Sequence, residues 1–104
     1  MSRVGWTREE LLRALCAYLS LELDDRKRPP KEFIDVLSRK LSNRSFASTA
    51  LRIANFVSRD PEMQALGAKG MFGGGAHVDL LWDEFLSNGQ IDTSKVLRAA
   101  AFEL

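Results

Sequence analysis

The 104-residue sequence contains one cysteine, one histidine, one tyrosine and three prolines. Because Cys16 has no second cysteine to pair with, an internal disulfide and a multi-cysteine metal site are excluded. His77 alone is a poor metal site and, without a positioned nucleophile, a poor catalytic base. No paired carboxylates converge on an acid–base site. We therefore predict that this chain is not an enzyme and needs neither a metal nor a cofactor.

Long apolar runs are also lacking. No stretch approaches the roughly 20 residues that a membrane span needs. The N-terminus, with Glu9 and Glu10 close behind it, lacks the charged-then-apolar layout of a secretory signal. These features predict a cytoplasmic protein with no membrane partner.

The formal net charge of +1 conceals a strong asymmetry. Residues 26–59 carry nine bases and only two acids, and no acid occurs between Val36 and Arg59. Acids outnumber bases on both sides of this segment. A basic patch of this kind is typical of a nucleic-acid-binding surface.

The apolar spacing predicts an all-α fold. A first helix is expected from Thr7, as the N-cap of a capping box with Glu10, to about Leu21. A polar linker over residues 22–30 precedes a second helix, which buries Phe33, Ile34, Leu37 and Leu41. A third helix is expected from the N-cap Ser45 to about Ser58. The last two helices predict a helix-turn-helix core over about 31–59. The opening Trp6-Thr7-Arg8-Glu9-Glu10-Leu11 resembles the start of a Myb or homeodomain-like unit with such a core.

The remainder is expected to add C-terminal helices. One helical turn at 61–66 leads into a glycine-rich loop at 67–75, and Asp79 is expected to cap a short helix that ends at Asn88-Gly89. A last helix begins at Asp92 or Thr93. No strand is predicted. Residues 1–89 are expected to form a DNA-binding domain, and residues 90–104 a C-terminal helix or a connector to a further domain.

The third predicted helix is the strongest candidate for DNA recognition. Its polar stripe consists of Ser48, Arg52, Asn55 and Arg59, with Thr49 beside it. The opposite, apolar face is expected to consist of Ala47, Ala50, Leu51, Ala54 and Val57, flanked by Phe46, Ile53 and Phe56. Arginine can pair with guanine, asparagine with adenine, and the threonine methyl can contact a 5-methyl group in the major groove. The alternative is a solvated helix face that lacks acids.

Other bases are of the kind that contacts phosphates and positions a protein without reading sequence. The run from Arg26 to Lys31 belongs to this group, and Lys69 in the glycine-rich loop can assist backbone amides at a phosphate. For each of these bases the alternative is a solubilising surface charge, and for the loop it is a plain connection between helices. The full set of predicted DNA-binding residues is Arg39, Lys40, Asn43, Arg44, Ser45, Ser48, Thr49, Arg52, Asn55, Arg59 and Lys69.

The order of these pieces resembles a known family. They are Trp6-Thr7-Arg8-Glu9-Glu10-Leu11, Arg44-Ser45-Phe46-Ala47-Ser48, Ile53-Ala54-Asn55-Phe56, Asp60-Pro61, a glycine-rich loop, and Val78-Asp79-Leu80-Leu81-Trp82-Asp83-Glu84-Phe85. Together they are similar to the N-terminal domain of bacterial McrA-like, HNH-type restriction endonucleases, over roughly residues 6–86. The resemblance implies a DNA-binding module whose parent enzyme cleaves foreign, often modified, DNA through a separate nuclease domain. No His-Asn-His arrangement occurs in this chain.

These observations predict a module that binds double-stranded DNA and reads the major groove with helix 45–58. DNA with modified bases or a modified backbone is one candidate ligand. The module would be the targeting domain of a modification-dependent HNH restriction endonuclease. A stand-alone helix-turn-helix transcription regulator is the alternative within the same class. A protein-interaction module without DNA affinity is the alternative from another class. The target site, the oligomeric state and the role of loop 67–75 stay open.

Overall fold

The computed structural model describes residues 6–41, 44–71 and 75–103. The helices are α1 (Arg8–Leu19), α2 (Leu23–Lys27), α3 (Lys31–Lys40), α4 (Phe46–Arg59), α5 (Pro61–Ala65), α6 (Gly75–Glu84) and α7 (Thr93–Glu103). Between α6 and α7 lie two short antiparallel strands, β1 (Leu86–Ser87) and β2 (Gln90–Ile91). The fold is mostly helical, as the sequence predicts.

The N-cap of α1 is confirmed. The hydroxyl oxygen of Thr7 accepts a hydrogen bond from the Glu10 backbone N–H at 3.1 Å, and the Glu10 carboxylate accepts one from the Thr7 N–H at 3.1 Å. This reciprocal pair satisfies two of the amide donors that a helix start leaves without intrahelical partners. The helix ends at Leu19, two residues before the predicted end.

The caps of α3 and α4 also agree with the sequence. Pro30 precedes α3 in an extended conformation, and Ser45 caps α4 by accepting a hydrogen bond from the Ser48 N–H at 3.0 Å. The two helices pack against each other. Ile34, Leu37 and Leu41 are buried as predicted, whereas Phe33 is only half-buried.

Two predictions about the chain's local structure are wrong. The linker at 22–30 contains α2, whose acids in the first turn and bases in the last turn complement the helix dipole. The short helix expected to start at Asp79 begins at Gly75, so Asp79 lies inside α6.

The absence of strands is also a wrong prediction. Leu86 pairs with Ile91, and Ser87 pairs with Gln90. The connecting residues Asn88 and Gly89 have φ values of 54° and 80°. Two-residue hairpin turns of type I′ require a positive φ at both central positions.

The core forms where α1, α4, α6 and α7 meet. The Tyr18 and Phe56 ring centroids are 5.8 Å apart, and those of Phe56 and Trp82 are 6.3 Å apart. α7 packs against α1 and contributes the fully buried Val96. The segment after Gly89 is therefore joined to the same core as the residues before it. Within the described ranges, no helix is both long and apolar enough to cross a membrane.

Candidate functional site

The orientation predicted for α4 is wrong, because Thr49 and Asn55 face the interior and the rest of the polar stripe is half-buried. Thr49 has 0% and Asn55 1% of its surface exposed. Phe46 and Leu51 instead reach solvent, with 44% and 41% exposed. The base contacts predicted for Thr49 and Asn55 therefore have no exposed atoms from which to form.

The side chains of this stripe bind other parts of the protein. Thr49 Oγ1 donates to the Ser45 carbonyl at 2.9 Å, and Ser48 Oγ accepts from Trp6 Nε1 at 3.0 Å. Arg52 donates from Nη1 to Asn55 Oδ1 at 2.9 Å, and its guanidinium lies 5.7 Å from the centroid of the Trp6 ring. Burial and the neighbouring charge of Arg44 lower the pKa of Arg52. The stripe is a structural network rather than a free recognition face.

Arg44 is also structural. It donates to both carboxylate oxygens of Glu10 at 2.7 Å, and about nine-tenths of each of the two side chains is buried. The bond to Glu10 raises the pKa of Arg44, and its guanidinium stacks 5.1 Å from the Trp6 ring centroid. The predicted phosphate contact by Arg44 is therefore incompatible with the bonds it makes to Glu10.

Arg59 and Arg39, two further bases that were predicted to contact phosphates, form ion pairs with acids. Arg59 lies 2.5 Å from Asp83 and 3.7 Å from Asp79 of α6. Arg39 pairs with Asp35 one turn earlier in α3, although 72% of its side chain remains exposed. Their charges are partly neutralised, which reduces their attraction for a phosphate.

Arg26, the first residue of the basic run, holds α2 in place. It donates to the carbonyls of Leu19 and Leu21 at 3.0 and 3.1 Å, and its Nη1 lies 3.7 Å from the buried Asp60 carboxylate. Tyr18 donates to that same carboxylate at 2.7 Å. Burial and this hydrogen bond both raise the pKa of Tyr18. Arg26 therefore has a structural role, which the bases that follow it in the basic run do not share.

Four bases remain exposed and converge on one groove. Lys27 and Arg28 come from the end of α2, Lys31 from the start of α3, and Lys69 from the loop after α5. None of the four forms an ion pair with a residue that the structure describes. We call this cavity of about 440 Å³ the basic groove.

The floor of the basic groove is apolar. It is formed mainly by α3 and α4 side chains, and none of the described residues that line the groove is acidic. The lining apart from the four bases is Pro29, Ile34, Phe46, Ala50, Ile53, Ala54, Val57, Ala68 and Gly70. An apolar floor with a cationic rim suits a ligand that combines anionic groups with an apolar body.

Lys69 is positioned by a close contact between its loop and α4. Gly70 has a φ of +62°, and a Cβ there would lie 2.5 Å from the Ala54 carbonyl oxygen and from the Ser58 nitrogen. The Met71 N–H donates to that Ala54 oxygen at 3.0 Å, and Asn55 Nδ2 donates to the Met71 carbonyl at 2.7 Å. The buried Asn55 therefore fixes the loop that carries Lys69.

The other predicted site residues lie apart or outside the description. Lys40 is exposed but lines a different, shallow cleft with Arg13 and Cys16. Ser45 is exposed and uses its hydroxyl as the cap of α4. Asn43 lies outside the described residues. Of the predicted residues that the structure describes, only Lys69 lines the basic groove.

The sequence predicts DNA recognition by α4 and does not predict the groove. The positive charge from Lys27 to Lys31 is evident in the sequence. The proximity of these bases to Lys69 is not, because it depends on α2 and on the contact between Gly70 and α4. Phe46 was assigned to the flank of a buried face, whereas it lines the groove with its ring partly exposed. Among the described residues, no three His, Cys, Asp or Glu side chains form a group that could hold a metal ion.

Comparison with protein-family models, with curated proteins and with solved structures finds no match for this chain.

Proposed function

We propose that this chain is a double-stranded DNA-binding module that contacts the phosphates through the basic groove. The observation that carries the proposal is the convergence of four bases from three chain segments. None of them forms an ion pair with a described residue, and no acid occurs among the described lining residues. Duplex DNA presents regularly spaced phosphates, and bases that neutralise them release counterions. Contacts of this kind orient a protein on the duplex.

Within this proposal, α3 and α4 form the helix-turn-helix, but α4 reads DNA with another face than the polar stripe. Ala47 and Leu51 are exposed on α4, and Ala50 is half-buried. Apolar side chains in the major groove can contact the 5-methyl group of thymine, and 5-methylcytosine carries the same group. They cannot form the bidentate hydrogen bonds that distinguish guanine or adenine. We expect weak sequence preference and a modest preference for methylated cytosine.

The resemblance to the N-terminal domain of HNH restriction endonucleases leads to a proposal about context. A module that binds phosphates strongly and bases weakly would concentrate a nuclease domain on DNA and leave cleavage to that domain. We propose that this chain has such a targeting role and performs no catalysis itself.

A titration against a short labelled duplex, unmodified or cytosine-methylated, at several salt concentrations tests the proposal. If four phosphates are contacted, the logarithm of the affinity should fall with the logarithm of salt with a slope of about −3 to −4. Arg98 on α7 is exposed and forms no ion pair with a described residue, so Arg98→Ala is the matched control for removal of a groove base. Absence of binding at low salt would contradict the proposal.

The exposed apolar side chains of α4 support a second candidate function. A protein-interaction module would use the same groove to bind an acidic partner with apolar side chains. Phe46 and Leu51 of α4 expose apolar surface of the kind that marks such contacts. This alternative predicts binding of an acidic peptide in the absence of any affinity for DNA.

A further inference from the structure

We propose that the basic groove accommodates one unstacked nucleotide, with its base against Phe46 and the apolar floor and its phosphates against the rim bases. This inference rests on the proposed function and specifies the form of DNA that the module prefers. It makes bulged, mismatched or single-stranded DNA a better ligand than a fully paired duplex.

The shape and chemistry of the groove support this occupant. A volume of about 440 Å³ lies within the range of about 300–1,000 Å³ typical of sites for small organic groups. Phosphate contacts alone would use the rim and leave the apolar floor in water. In a continuous duplex the base faces are stacked on one another, so only an unstacked base can present a flat apolar face to that floor.

Phe46 supplies the aromatic surface for this contact. It lines the groove and leaves 44% of its surface exposed, although its helix offers a buried side. Proteins that bind single strands combine a positively charged groove with aromatic side chains on which bases stack. Lys31 and Lys69 line the same cavity as Phe46, so phosphates next to the stacked base would meet positive charge.

An extended peptide fits the floor less well. Its backbone N–H and C=O groups need hydrogen-bond partners when they are buried. Most of the floor consists of apolar side chains on α3 and α4, and the backbone groups inside those helices already bond to one another. A base can instead keep its polar edge toward the open side of the groove. The observations therefore favour a nucleotide over a peptide.

The experiment compares three labelled DNAs of one sequence: a matched duplex, the same duplex with a single-nucleotide bulge, and the single strand. We expect the protein to bind the bulged duplex and the single strand at least 5-fold more tightly than the matched duplex. Phe46→Ala should weaken the two preferred ligands about 5- to 100-fold, as expected for loss of one stacking contact, and leave the matched duplex nearly unchanged. Phe46→Trp should retain the preference.

Leu97→Ala is the matched control, because Leu97 is an apolar residue of α7 with 52% exposure and does not line the groove. It should leave all three affinities unchanged. Circular dichroism melting of each variant separates a folding defect from a binding defect, and Phe46→Trp keeps the test valid if Phe46→Ala unfolds.

The outcomes distinguish this inference from the proposed function. Equal, salt-sensitive affinity for all three DNAs would overturn the unstacked nucleotide and leave duplex binding standing. No affinity for any DNA at low salt would overturn both. Binding of a synthetic peptide of alternating glutamate and leucine, lost in Phe46→Ala and without any DNA binding, would assign the groove to a protein partner instead.

Discussion

The side-chain amide of Asn55 donates a hydrogen bond to the backbone carbonyl of Met71, with 2.7 Å between nitrogen and oxygen. The two residues join the middle of α4 to the loop that carries Lys69. Asn55 Oδ1 at the same time accepts from Arg52 at 2.9 Å. One buried amide therefore connects the α4 network to the rim of the basic groove.

Asn55→Ala should destabilise the fold by about 1–3 kcal/mol, because it removes a buried amide and leaves its partners without their bonds. Urea denaturation measures this change through the midpoint of unfolding. If Asn55 instead read a base, the variant would keep its stability and lose DNA affinity. The exposed Arg98→Ala, measured in parallel, should leave the midpoint unchanged.

Gly70→Ala should be much more damaging than Gly67→Ala. Both glycines have positive φ, +62° and +80°, a conformation that costs a non-glycine residue about 1–2 kcal/mol. Only at Gly70 does an added Cβ meet backbone atoms, at 2.5 Å, whereas nothing lies within 4 Å at Gly67. The clash should therefore destabilise Gly70→Ala by about 1–3 kcal/mol more than Gly67→Ala.

The same denaturation experiment on both glycine variants isolates the close contact, since the cost of positive φ is common to them. Equal losses of stability would show that the loop moves away from α4 without cost. In that case Lys69 would not be held at the groove.

The local start signals were predicted well from the sequence. The capping box of α1, the Ser45 cap of α4 and a last helix after Asp92 are all found in the structure. These features depend on residues three or four positions apart, so they can be recognised without knowledge of tertiary packing.

The facing of α4 was predicted incorrectly, and the reason is the size of the apolar residues. The predicted buried face consisted of three alanines with Leu51 and Val57, of which only Val57 is buried. The larger Ile53 and Phe56, expected at the flanks of that face, are almost fully buried. Hydrophobic stabilisation grows with the buried apolar area, so these two side chains set the rotation of the helix. The polar stripe then turns inward because Trp6 and the Met71 carbonyl provide its hydrogen-bond partners.

The ion pair of Arg8 with Glu84 predicts a small acid sensitivity. Arg8 donates to the two carboxylate oxygens at 2.6 and 2.8 Å, and this bond lowers the pKa of Glu84. A carboxyl whose pKa is lower in the folded than in the unfolded state stabilises the fold at pH values above its unfolded pKa. That stabilisation is lost as the pH falls through the folded value.

Because Arg8 and Glu84 are both nearly half exposed, solvent screening limits the contribution to at most about 1 kcal/mol. The urea midpoint should fall between pH 6 and pH 3 by more in the wild type than in Glu84→Gln, which has no carboxylate to protonate. Glu22→Gln, at an exposed carboxyl without a side-chain hydrogen bond to a described residue, serves as a control. An identical pH dependence in wild type and Glu84→Gln would contradict a role for this pair in stability.

Lys69→Ala should weaken DNA binding without changing its sequence preference, because a lysine bound to a phosphate carries no base information. Loss of one phosphate contact should reduce the magnitude of the salt slope by about 0.9. Lys69 is exposed and unpaired among the described residues, so the urea midpoint should not move. Lys40→Ala, at an exposed base outside the groove, should change the slope less. If the two variants reduce the slope equally, binding follows the general positive charge of the protein and the groove is not the contact surface.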